Sequence, residues 1–115
     1  MKLPNYKEAI IPFEKISGYL LSATHRDGRH KAAFFTRYGF SLDSWENLAE
    51  SLLRHASDHE VNKIEESPFG TRYIIDGMMF APDGRTPYIR SVWFVEKDEN
   101  LPRFVTAYPL RRKTK

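Results

Sequence analysis

The hydrophobic period changes near residue 60, and that change constrains the fold more than any other feature of this chain. Before it, apolar residues recur at intervals of three and four, the spacing of one helix face. After it they alternate, as on a half-buried strand. Residues 61–66, 71–81, 86–96 and 101–110 read as strands, and they are separated only by Ser67-Pro68-Phe69-Gly70, the hairpin signal Pro82-Asp83-Gly84, and the charged turn at 97–100. Connections this short leave no room for a crossover, so neighbours run antiparallel and the second half is a three- to four-stranded meander. Alternation puts Tyr73, Ile75 and Met79 on one face of the second strand, and Ile89, Trp93 and Val95 on one face of the third, opposite Tyr88, Arg90, Val92 and Phe94. In the last strand it groups Phe104, Thr106 and Tyr108 against Val105 and Ala107, with Pro102 and Pro109 bounding the segment.

The first half reads as helices. Residues 1–11 form a lead-in holding Pro4, and Pro12 suits the first turn of a helix over 12–22, whose apolar stripe is Phe13, Ile16, Tyr19 and Leu20. Asp27-Gly28 breaks the chain. A second helix follows over 30–38, with Ala32 and Phe35 inward and Gly39 as its C-terminal cap. Asp43 and Glu46 have capping-box spacing for a third helix, whose stripe is Trp45, Leu48, Ala49, Leu52, Leu53 and Ala56. His55, Asp58 and His59 fall at its end, where a protonated histidine meets the negative pole of the helix dipole. Helices followed by strands give an α+β domain, with about three helices on one face of the sheet. At 115 residues one domain is expected: lead-in 1–11, helical half 12–60, sheet half 61–110 and basic tail 111–115.

Several classes of function drop out. With no cysteine there is no disulfide framework and no thiolate chemistry. No apolar run reaches the ~20 residues of a membrane span, and the N-terminus lacks a signal-peptide core, so a cytoplasmic protein without membrane association is expected. His55 and His59 share a helix face but have no third ligand at a suitable spacing, so neither a metal nor a cofactor is expected. Phosphate-binding glycine loops, nucleophile elbows and HExxH are absent. The net charge of +3 becomes −1 once Arg111, Arg112, Lys113 and Lys115 are set aside, so affinity for polyanions rests on a local patch and the tail.

What remains is a set of polar residues that the meander gathers. Thr106 and Tyr108 share a strand face with Arg103 at its mouth, Arg90 lies on the neighbouring strand, and His30 and Lys31 occupy the first turn of helix two. Cations in a first turn oppose the helix dipole and gain nothing structurally, which favours a functional reading. A potential base, cations and hydroxyls suit metal-free RNA cleavage, in which a 2′-hydroxyl attacks the adjacent phosphate while charge is stabilised on the non-bridging oxygens. Arg90 and Lys31 suit the phosphorane, Tyr108 or His30 the proton transfers, and Thr106 the positioning of the phosphate. Tyr88 suits an unpaired base, with Arg29 and Arg103 as further substrate-binding cations. Two other readings are a non-catalytic RNA- or protein-binding module and a structural partner using the apolar strand faces.

The segments EKISGYLLS, GRHKAAFF, YGF, FGTRY, PDGR, VWF and PRFVTAYP, in this order, resemble a family of small uncharacterised bacterial domains found alone or at the ends of polymorphic toxins. That family resembles in turn the ribonuclease-toxin fold of barnase, EndoU, colicin D and RelE. GRHKA and TAYP are its most telling pieces. The resemblance implies N-terminal helices before a four-stranded antiparallel sheet and a metal-independent endoribonuclease held in check by an antitoxin or immunity protein. Its site would match Lys31, His30, Arg90, Thr106 and Tyr108.

Overall fold

The computed structural model describes residues 1–110; the basic tail predicted at 111–115 lies outside the described residues. Helix α1 (Phe13–Lys15) continues as a π-helical segment (Ile16–Leu20), followed by α2 (Arg29–Arg37) and α3 (Trp45–Asp58). Strands β1 (Lys63–Ser67), β2 (Gly70–Met78), β3 (Tyr88–Glu96) and β4 (Arg103–Pro109) form one antiparallel sheet in the order β1-β2-β3-β4. This is the expected α+β meander. The helices cover one sheet face, where Leu48, Leu52 and Ala56 of α3 join Phe35, Ile75, Ile89, Trp93, Phe104 and Ala107 in the core. Gly39, at φ +98, closes α2 as expected, with the Gly39 and Phe40 amides donating to Thr36 and Phe35 carbonyls.

Three local expectations give way. The helix over 12–22 is not α-helical throughout: after one turn the Leu21 amide donates five residues back to the Ile16 carbonyl, at 2.8 Å. Ser17 and Gly18 weaken the regular ladder here, Ser17 Oγ taking the Phe13 carbonyl at 3.2 Å. Asp43 is not the cap of α3. Ser41 caps a 3₁₀ turn at Leu42–Ser44 by accepting from the Ser44 amide, and α3 starts directly after it.

The third departure is in β4. Trp93 pairs with Phe104 but Val92 pairs with Thr106, so Val105 is an extra, unpaired residue. This bulge puts Phe104 and Ala107 on the same, helix-covered side, and strict alternation fails. Thr106 and Tyr108 still share the outer face, opposite Val92 and Arg90. The lead-in is irregular but fixed. Leu3 is buried, the Ile10 amide donates to Pro102, and the Phe104 amide donates to Ile10.

Candidate functional site

At the outer edge of β4, beyond its bridge to Ile10, the π-helical segment delivers Tyr19, whose hydroxyl stands 2.9 Å from Thr106 Oγ1. His25 meets the Tyr19 ring edge-on at a centroid distance of 5.0 Å. The ammonium groups of Lys31 and Lys15 lie 5.2 and 5.5 Å from the same ring centre, within cation–π range. Lys31 Nζ also donates to the Asp27 carbonyl at 3.3 Å. Glu14 and Asp27 line the same cleft, so its charge is mixed.

Backbone geometry sets the chemistry of His25. Its Nδ1 accepts from the Asp27 and Gly28 amides, both at 3.0 Å, so the neutral ring carries its proton on Nε2 and presents a donor there. Gly28 permits this closure: a Cβ at that position would stand 2.1 Å from the Tyr19 carbonyl oxygen, a backbone atom with little freedom to retreat.

A second group lies on the sheet face turned away from the helices. Arg90 binds Asp76 through two hydrogen bonds, Nε to Oδ1 at 2.7 Å and Nη2 to Oδ2 at 3.0 Å. Its register partner on the other side is Tyr108. Hydrogen bonding to Asp76 first, and to Tyr108 second, pushes the already high Arg90 pKa further up. Arg90 is thus a cation held by a neighbouring carboxylate. Thr106, two residues from Tyr108 on the same face, links this group to the Tyr19 cleft.

The other residues singled out in the sequence stand apart. Arg29 and His30 are exposed in the first turn of α2; the Arg29 amide donates to the His25 carbonyl at 3.0 Å, but neither side chain has a hydrogen-bond or ion-pair partner among the described residues. Arg103 is exposed at the start of β4, its Nε 3.9 Å from Glu96. Tyr88 is half-buried at the start of β3, and its carbonyl accepts from the Leu110 amide. Lys31 and Thr106 therefore meet through Tyr19, and Tyr108 meets Arg90, whereas Arg29, His30 and Arg103 join neither group. Tyr19 and His25 escaped the sequence reading because Tyr19 fits an apolar helix stripe and His25 sits in a turn. The available signal was the Asp27-Gly28 turn dipeptide close after His25.

A third polar group is buried beneath α3. His55, at 1% exposure, joins Ser91 Oγ at 3.0 Å through Nδ1 and the Gly77 carbonyl at 3.1 Å through Nε2, and the Trp93 indole donates to the same Ser91 oxygen at 2.9 Å. Because a carbonyl only accepts, Nε2 carries the proton, Ser91 donates to Nδ1, and every donor in the chain from Trp93 to Gly77 is satisfied. Burial first, and His59 second, lower the His55 pKa to about 4. This histidine is a neutral clamp between α3 and the sheet, not the protonated helix terminus expected. Among the described residues no three histidine or carboxylate side chains group as metal ligands, and no helix is long and apolar enough to cross a membrane.

A family model described as a domain of unknown function, DUF6883, matches residues 2–111. No curated protein matches the sequence. Among solved structures, a chain of the contact-dependent growth inhibition toxin–immunity protein complex from Klebsiella pneumoniae 342 is similar, with a TM-score of 0.72 and 20% identity, covering 93% of this chain and 97% of that one. At that identity the likeness is one of fold.

Proposed function

The chain belongs to the DUF6883 family, a domain of unknown function, and from that premise we propose that it is a metal-independent endoribonuclease of bacterial toxin type. The observation that carries this reading is the Tyr19–Thr106 hydroxyl pair, set beside two lysine ammoniums and the Nε2 donor of His25. In the reaction the 2′-oxygen of one nucleotide forms a bond to the adjacent phosphorus while the bond from phosphorus to the 5′-oxygen breaks. The 2′-hydroxyl proton passes to Thr106, the Thr106 proton to Tyr19, and the Tyr19 proton to the departing 5′-oxygen. Both hydroxyls end as they began, and the products are a 2′,3′-cyclic phosphate and a 5′-hydroxyl. Lys31, Lys15 and the His25 donor stabilise the charge on the non-bridging oxygens. Arg90 and Tyr108, on the adjoining strand face, hold the neighbouring phosphate, with Asp76 fixing the guanidinium.

The test is incubation of the purified protein with single-stranded RNA and with tRNA in the presence of a chelator. Cleavage leaving cyclic phosphate ends is expected, with Tyr19→Phe and Thr106→Val each lowering the rate by about a hundredfold. Folded variants that both retain the full rate would remove the relay. The similar fold found within a toxin–immunity complex supports a cognate immunity protein as partner. Induced expression should then arrest growth, and co-expression of that partner should relieve the arrest. The tight pairing of Arg90 with Asp76 favours a second reading, an RNA-binding module without chemistry. Salt-dependent binding of intact RNA in the same assay would select it.

A further inference from the structure

The outer face of the sheet carries one row that neither the cleft nor the Arg90 group uses. Glu65, Arg72, Phe94 and Arg103 are successive register partners across all four strands. Strands lie about 4.8 Å apart, so the two guanidinium-bearing residues bracket Phe94 from either side. Phe94 and Val105, both half-buried, form an apolar floor, and Glu65 and Glu96 stand on its rim.

The ion pairs of this row are loose. Arg72 Nε lies 3.9 Å from Glu65 Oε1 and Arg103 Nε lies 3.9 Å from Glu96 Oε2, both beyond hydrogen-bond length, whereas Arg90 and Asp76 are at 2.7 Å. A closer contact is that of Lys63 with Glu65, at 3.3 Å. The Arg72 and Arg103 side chains are 48% and 49% exposed, so their donors remain available to a ligand beside the ring.

We infer that this row is a nucleobase subsite that holds an unpaired guanine of RNA stacked on Phe94. An aromatic floor stacks any base, and the rim selects among them. Guanine offers the acceptor pair O6 and N7 to an arginine fork, and its N1–H and N2–H₂ donors to a carboxylate. Adenine presents a donor where guanine has O6, and a pyrimidine covers less of the floor. Arg90 lies four residues along β3 from Phe94, about 13 Å, so the base subsite is separate from the groups assigned to cleavage. The inference rests on the proposed function only in taking RNA as the ligand.

The test needs no cleavage. The isotopically labelled protein is titrated with each of the four nucleoside 5′-monophosphates while backbone amide shifts are followed. Guanosine monophosphate should move the amides of Arg72, Phe94, Arg103 and Val105 and bind about tenfold more tightly than the adenosine compound. Phe94→Leu, which keeps an apolar floor, should weaken it about tenfold, and Arg72→Gln or Arg103→Gln should erase the preference for guanine. Equal binding of all four nucleotides, shifts confined to the Tyr19 cleft, or no shift at all would overturn the inference. In the last case the face is left to a protein partner. Guanine binding at the row by a protein that cleaves no RNA would uphold the subsite and sink the ribonuclease reading instead.

Discussion

Ser91 is the smallest member of the buried chain that joins Trp93 to His55, and the most exacting. Ser91→Ala leaves the Trp93 indole without an acceptor and His55 Nδ1 without a donor, both in the core, and is expected to cost about 1–3 kcal/mol in denaturant unfolding. The same group makes stability depend on pH. His55 in the folded protein titrates near 4, below its ordinary 6.5, so its contribution is complete above pH 6.5 and falls as the pH drops toward 4. The loss amounts to about 3 kcal/mol in all. Unfolding curves between pH 7 and pH 4 should show it, and His55→Gln should flatten that part of the profile. Sequence alone gave no access to this histidine. Its place near the end of an amphipathic helix suggests an exposed terminus, and only the strand register brings Ser91 and Gly77 under it. Gly28 is a second single-residue lever. Gly28→Ala drives a methyl group into the Tyr19 carbonyl, so it should destabilise the fold by about 1–3 kcal/mol and lower any RNA cleavage.

At the scale of elements, β4 and the π-helical segment depart furthest from sequence periodicity, and they are also the elements that meet at the cleft. The meander, its turns, and the faces of β2 and β3 were legible because short connections and alternation leave few alternatives. Arg90 beside Tyr108 was legible on the same grounds. The β4 bulge was not, since Phe104, Val105 and Thr106 suit a regular strand equally well, and a bulge is decided by tertiary packing against Trp93 and Ala107. Deleting Val105 provides a clean test. The register on both sides of it is already continuous, with Trp93 opposite Phe104 and Val92 opposite Thr106, so the shortened strand keeps its faces. Thermal unfolding should therefore change by only a few degrees, while the flattened edge carries Thr106 away from Tyr19 and cleavage drops by an order of magnitude or more. Equal losses of stability and activity would argue against a special role for the bulge.

At the scale of the whole molecule, helices shield one sheet face, the other is uncovered among the described residues, and every group proposed to meet RNA lies on that second face or at its β4 edge. The fold class was readable from the helix-then-strand order, whereas the contribution of the first ten residues was not, because Pro4 and the weak periodicity there suggest only a lead-in. Leu3 is at 1% exposure within the main core. Leu3→Ala should cost about 2–4 kcal/mol in denaturant unfolding, which would distinguish a structural segment from a dispensable one. Ile10 pairs in parallel with Arg103, so the start of the chain acts as a partial fifth strand on β4. That pairing joins residues from opposite ends of the fold and closes a long loop, an entropic cost met only after the sheet has formed. Refolding should accordingly end in a slow phase reported by the Ile10 and Phe104 amides, and opening of the native state should begin at the same seam. The order of assembly is then inscribed in one bridge: Ile10 and Arg103, far apart along the chain, are among the last to find each other.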